Sequence, residues 1–167
     1  MFTEINVQIL KPVLIGILIA AVSSWITVQL SMRRFRAEWL WKMKANAYSA
    51  VIEALHNSKA LYIAHMSSYE QLRELSKERD HELGLRARQG KDAIQKAIDM
   101  GSFLLSRKAH DRLEQYMKES DSVSHEQDFY FYLDENLAAT VSCLKDIVPI
   151  AKEDLRIKHF LKTQHLD

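Results

Sequence analysis

A chain of 167 residues with 23 Lys and Arg against 22 Asp and Glu has room for one domain and an appendage. Its balanced charge argues against a general nucleic-acid binder, which spreads basic residues over the folded body. Four glycines, two prolines and no β-branched runs at strand spacing outside one apolar stretch predict an all-α chain, and the single cysteine, Cys143, excludes an intrachain disulfide and a thiolate metal cluster.

Residues 1–11 read as a short amphipathic lead-in, with Phe2, Ile5, Val7, Ile9 and Leu10 among polar neighbours. Residues 12–32, PVLIGILIAAVSSWITVQLSM, hold no charge over 21 positions, enough to cross a ~30 Å hydrocarbon core as a transmembrane helix. Pro12 is expected in the first turn of that helix, where its missing N–H is no loss. Ala21-Val22-Ser23 loosely resembles a signal-peptide cleavage site, but the apolar run continues to Leu30 and then meets Arg33-Arg34, a stop-transfer pattern that predicts an anchor. Gly16, Ala20, Ser24 and Thr27 make one strip of small side chains along the span, the type of surface through which helices approach closely in lipid. Span self-association is expected there.

Residues 33–44, RRFRAEWLWKMK, form a basic-aromatic juxtamembrane collar. Arg33, Arg34, Arg36, Lys42 and Lys44 against Glu38 give it a charge of +4, while the 123 residues that follow sum to −3. Trp39 and Trp41 suit the headgroup level, and an excess of cations after the span orients it with the N-terminus outside and the C-terminal body in the cytoplasm. Anionic lipids attract such a collar at about 1 kcal/mol per nearby cation.

From Trp41 a seam at helical spacing runs through Ala45, Tyr48, Ile52, Leu55, Lys59, Tyr62 and Met66, so the first helix is expected to continue to about Ser67. Leu72 and Leu75 begin a second stripe, with a break expected near Gly84 and a stop at Gly101. Ser106 is placed to cap a short third helix whose shared face is Ala109, Leu113, Tyr116 and Met117. Ser124 and Gln127 have capping-box spacing ahead of a fourth helix, with the seam Tyr130, Leu133, Leu137, Val141, Leu144, Val148, Ala151 and Leu155. Pro149 falls inside that seam and is expected to kink the helix or release the carbonyl of Lys145. Residues 45–167 are thus predicted to form a cytoplasmic antiparallel bundle of about four helices.

Little in the chain points to catalysis. Glu53/His56 and Glu78/His81 share the i, i+3 spacing of di-iron bundles, but the further carboxylates needed, with Glu114 and Glu135 as candidates, are of a kind any helical protein offers. Helical ribonucleases of the HEPN type carry Arg followed by His after four to six residues; Arg107/His110 and Arg156/His159 are too close and Arg73/His81 too far. Glycine loops, nucleophile elbows and H-E-x-x-H are missing. Ser102 and Ser106 have no base placed by sequence, and Cys143 reads as a buried, inert thiol. No catalytic residue, metal or other cofactor is expected.

The span, its Arg-rich exit, the WLWKMKANAYSAVIEAL opening of a long helix, the GSFLLS junction and the long last helix together resemble a group of small bacterial single-span membrane proteins with a cytoplasmic helical bundle, and loosely the accessory membrane protein of type VI-B CRISPR loci. That resemblance implies a bacterial inner-membrane protein, with anti-phage defence as a setting, and carries over no functional residue. Three function classes follow: a non-enzymatic, self-associating membrane protein that perturbs the membrane or docks a partner; a membrane-tethered divergent HEPN-like ribonuclease or di-metal enzyme; and a membrane scaffold or assembly factor. The first is the expectation, with anionic lipid, further copies of the chain as a homo-oligomer, and a soluble protein as partners, and nucleic acid not among them.

Overall fold

The computed structural model describes residues 2–123 and 128–156, with side chains from Gly16 onward except Ser102. Four α-helices follow one another: α1 (Phe2–Glu70), α2 (Lys77–Met100), α3 (Arg107–Ser122) and α4 (Phe129–Asp154), with a 3-10 turn at Gly101–Phe103. The fold is all-α, and no strand occurs among the described residues. The chain divides into two compact units, Met1–Trp41 and Lys42–Asp167.

In the first unit α1 starts at Phe2, so the lead-in is already helical and Pro12 lies well inside the helix. The expectation of Pro12 in a first turn is therefore corrected. Its ring nitrogen leaves the carbonyl of Gln8 without the usual intrahelical donor.

The second unit is an antiparallel bundle, and side-chain pairs read out its register. Lys44 meets Asp154, and Glu70 meets Tyr130, so α1 and α4 run in opposite directions. Along α3 and α4, Arg112 meets Asp146, Tyr116 meets Thr140 and Ser120 meets Asn136. Gly90 of α2 packs on Ala54 of α1, while Asp80 reaches His65. The core between these helices holds Tyr48, Val51 and Leu55 of α1, Ile94 of α2, Leu113 of α3 and Ile147 of α4. Burial of such side chains is worth about 1.5–3 kcal/mol each.

The helix ends follow local chemistry. Ser76 accepts from the Arg79 amide at 3.3 Å, and Glu78 and Asp80 in the first turn of α2 complement its positive end. Ser106 accepts from the Ala109 amide at 3.3 Å and caps α3 as expected. Gly101 closes α2 with φ +54° and ψ −145°, its N–H donating to the Ile98 carbonyl; the positive φ is the reason glycine stands there.

Several expectations are revised. Leu72 starts no stripe: it turns the chain after α1 with φ +50° and is 95% exposed. α2 passes through Gly84 without a break. The Ser124/Gln127 capping box lies outside the described residues, and Asp128, at the cap of α4, makes no side-chain capping bond. α4 continues past Pro149, which is exposed; the carbonyl it cannot serve belongs to Lys145, also an exposed residue.

Both long seams are rotated from the expected line. α4 buries Asn136, Thr140, Cys143 and Ile147 along with Leu133, Leu144, Ala151 and Leu155, whereas Leu137, Val141 and Val148 sit half-buried at its edge. α1 buries Val51, Ala54 and Ser58 beside Tyr48 and Leu55, and leaves Ile52 and Lys59 at the margin. Trp41, the expected first seam residue, is exposed and lies in the first unit. The rotation is possible because the polar residues drawn inward find partners. Ser120 Oγ donates to Asn136 Oδ1 at 3.0 Å, Asn136 Nδ2 donates to the Tyr132 carbonyl at 2.9 Å, and Thr140 Oγ1 donates to the Asn136 carbonyl at 2.7 Å. Among the described residues no buried side-chain polar atom lacks a partner.

Candidate membrane segment and polar cleft

The expected self-association strip lies on α1. Spacings of four, four and three place Gly16, Ala20, Ser24 and Thr27 within one face, and all four are exposed. A Cβ added to Gly16 would meet no atom within 4 Å. Thr27 Oγ1 donates to the Ser23 carbonyl at 2.8 Å, so this hydroxyl is satisfied within the helix. Around the strip the large side chains are exposed on every side of the helix, among them Ile17 at 61%, Leu18 at 66% and Trp25 at 66%. The helix is long and apolar enough to cross a membrane, judged by length and composition.

The collar divides. Arg33, Arg34, Arg36 and Trp39, with Trp41 and Phe35, belong to the first unit and are exposed. Lys42 and Lys44 belong to the second. Lys44 is paired within its own unit: its ammonium donates to both oxygens of Asp154, at 3.1 and 3.3 Å. Tyr48 donates to the same carboxylate at 2.9 Å, and its hydroxyl oxygen accepts from the Ser106 amide at 3.3 Å. Burial raises the Tyr48 pKa, the Ser106 bonds oppose this, and Asp154 adds to the rise. Lys44, Tyr48, Ser106 and Asp154 therefore form a lock joining α1, the start of α3 and the end of α4. The sequence shows Lys44 only as one cation of five, because Asp154 is 110 positions away.

The residues considered for catalysis do not assemble. Glu53, His56, Glu78 and His81 are all exposed, and among the described residues no three of His, Cys, Asp and Glu come close enough to share a metal. Arg107 pairs with Asp111, and His110 lies 3.5 Å from Asp111 and 3.9 Å from Glu114. His159 lies outside the described residues. Cys143 is fully buried in the core, and that burial pushes its thiol up to about 11 despite nearby Arg112, so at neutral pH it is a protonated core side chain.

One feature of the second unit has no counterpart in the sequence reading. A cleft of about 720 Å³ opens between the end of α1, the first half of α2, the end of α3 and the start of α4. Its inner wall is hydroxylic: Ser58, Tyr62, Tyr116 and Ser120 line it, Tyr116 bonds Thr140 at 3.4 Å, and Ser58 Oγ donates to the Ala54 carbonyl at 3.2 Å. Burial raises the pKa of Tyr62 and Tyr116, keeping both phenols protonated. The hint in the sequence is Ser58, a polar residue on the same helix face as Ala54, Leu55, Leu61 and Tyr62. A second groove, between α1 and α4, is largely apolar and is lined by Ala45, Ile52, Val148 and Leu155.

Compared with protein-family models, curated proteins and solved structures, the chain has no match.

Proposed function

We propose that this chain is a non-enzymatic, single-pass protein of the bacterial inner membrane, with its N-terminus outside and its helical body in the cytoplasm, that self-associates and either perturbs the membrane or docks a soluble partner there, with anti-phage defence as the setting. The observation that carries the reading is the run 12–32: a helix free of charge whose described side chains are mostly apolar and exposed all round, followed at once by Arg33, Arg34 and Arg36. In water such a surface is a liability, and in a bilayer it is what the solvent demands. Self-association is supported by the Gly16–Ala20–Ser24–Thr27 strip and by the apolar groove beside Ile52 and Val148.

The test is made on the full chain expressed in a bacterium. The protein is expected to stay in the membrane pellet after alkaline carbonate, and a reporter after Asp167 is expected to be active in the cytoplasm. Gly16→Leu and Ala20→Leu are expected to lower the mass of the detergent-solubilised species with helicity unchanged. Release by carbonate would remove the anchor, a periplasmic C-terminus would remove the orientation, and a wild type that is monomeric by mass would remove self-association. Expression while membrane potential is followed separates the two modes: a fall in potential identifies membrane perturbation, and a steady potential identifies docking.

A further inference from the structure

The hydroxylic cleft carries an inference that does not depend on anchoring. Along the wall supplied by α2, which also includes Asp80, Leu85, Ala87 and Ile94, the residues Lys77, His81, Gly84, Arg88 and Lys91 share one helical stripe, and its basic side chains fall into two poles. At one pole stand Lys77 and His81, where the nearby Asp80 is engaged at 3.1 Å by His65. At the other stand Arg88 and Lys91, where Asp121 is engaged at 2.8 Å by Lys91. Each pole therefore spends its carboxylate on one neighbour and keeps a cation over. Lys77, His81 and Arg88 form no ion pair or hydrogen bond with any described residue. Seven residues separate His81 from Arg88, which at 1.5 Å per residue sets the poles about 10 Å apart along the helix.

Gly84 lies between the poles. Its backbone has no positive φ, and an added Cβ would meet nothing within 4 Å, so neither conformation nor packing requires glycine there. Gly90, by contrast, stands 3.1 Å (measured from an added Cβ) from the Ala54 backbone. A glycine inside a helix is unfavourable relative to alanine, and what the one at 84 leaves is open space in the middle of the cleft wall. Tyr62 of α1 and Tyr116 of α3 line the same cleft.

We propose that this cleft binds a small organic bisphosphate, one phosphate held by Lys77, the other by Arg88, with a hydroxylated spacer lying over Gly84 against Tyr62 and Tyr116. Arg88 offers a planar fork that matches two phosphate oxygens, and Lys77 offers a point charge. A volume of about 720 Å³ lies within the range of small-molecule sites and is too small for a folded partner. Two sources present this chemistry: a free sugar bisphosphate, and the glycerol-bridged pair of phosphates in a cardiolipin headgroup.

The experiment uses the full chain in phosphatidylcholine nanodiscs, titrated with fructose 1,6-bisphosphate and, separately, fructose 6-phosphate at matched ionic strength. A second arm measures cardiolipin retained by the chain in native mass spectrometry. Binding of the bisphosphate at least tenfold tighter than the monophosphate, weakened tenfold or more by Lys77→Gln and by Arg88→Gln, assigns the site to a free ligand. Retention of cardiolipin that both substitutions abolish assigns it to a headgroup. Lys77 and Arg88 are exposed, so an unchanged circular-dichroism spectrum is expected for each variant. Gly84→Leu, which fills the wall between the poles and removes no charge, is expected to weaken the same binding. The proposal is overturned if neither arm shows binding at millimolar ligand, if monophosphate and bisphosphate bind alike, or if the substitutions leave the affinity unchanged.

Discussion

Two stretches of one helix, residues 16–41 and 42–70 of α1, have the same backbone and opposite surroundings. In the first, Leu18, Trp25 and Phe35 have no cover from the chain itself; in the second, Tyr48, Val51 and Leu55 are sealed by α2, α3 and α4. Helical propensity does not distinguish them, since each is rich in residues that tolerate a helix. The difference lies in what satisfies the side chains. The body solves its solvation problem internally, so its residues are ranked by contact. The N-terminal stretch leaves that problem to its surroundings, so its residues are ranked by their preference for lipid or water.

The sharpest way to break this comparison is to remove the same side chain from each stretch's environment. Leu55→Ala, at a position in 42–70 with no exposure, is expected to cost the body about 2–5 kcal/mol through lost burial and a residual cavity. Leu18→Ala, at an exposed position, is expected to leave the denaturation midpoint of the body where it was. Denaturant titration followed by circular dichroism in detergent checks both, and equal losses would show that the N-terminal stretch is part of the body's core.

Glycines sharpen it further. An alanine at Gly90 would put its Cβ 3.1 Å from the Ala54 Cα and carbonyl oxygen, so Gly90→Ala is expected to destabilise by about 1–3 kcal/mol as α1 and α2 are pushed apart. Gly84→Ala meets nothing and is expected to stabilise by about 0.5–1 kcal/mol. Thermal melts of the two variants should move in opposite directions.

A pH titration probes the sealed side alone. The Cys143 thiol is raised from 9.0 to about 11 by burial, so above pH 9 the unfolded thiol ionises while the folded one stays protonated. Folded protein then binds more protons than unfolded, and stability falls as pH rises from about 9 to about 11, by no more than about 1.4 kcal/mol per unit. Cys143→Ala is expected to flatten the stability curve between pH 9 and 10, leaving the loss above 10 that comes from Tyr62 and Tyr116, whose pKa values are also raised. A curve unchanged by the substitution would mean that the thiol meets solvent.

The smallest effects separate two cations of the collar. Lys44→Gln breaks the ammonium–Asp154 contact, whose partners are 26% and 17% exposed, and is expected to cost about 1 kcal/mol of stability with little change in lipid binding. Arg36→Gln is expected to leave stability alone and to weaken binding to anionic vesicles by about 1 kcal/mol. Melting and vesicle flotation of both variants give the comparison. The reverse pattern would return Lys44 to the lipid-facing set.

What the amino-acid order determined by itself is whatever depends on near neighbours. The uncharged run 12–32, the cluster Arg33-Arg34-Arg36, the Ser106 cap and the positive φ at Gly101 are set by residues within a turn or two, so composition and spacing reveal them. An all-α chain of four helices follows from the same local rules. Tertiary structure alone decided which side of each broad apolar stripe turns inward. Thr140 and Asn136 each donate to a carbonyl one turn back, but it is Tyr116 and Ser120 on α3 that meet them across the core, and no local rule contains that pairing. It decided that Gly90 is required and Gly84 is not, since only the approach of Ala54 distinguishes them. It paired Lys44 with Asp154, 110 positions away. The cleft belongs to the same class: Tyr62, Arg88 and Tyr116 lie on three different helices, and a cavity is a property of the space between helices, for which a linear pattern has no signal.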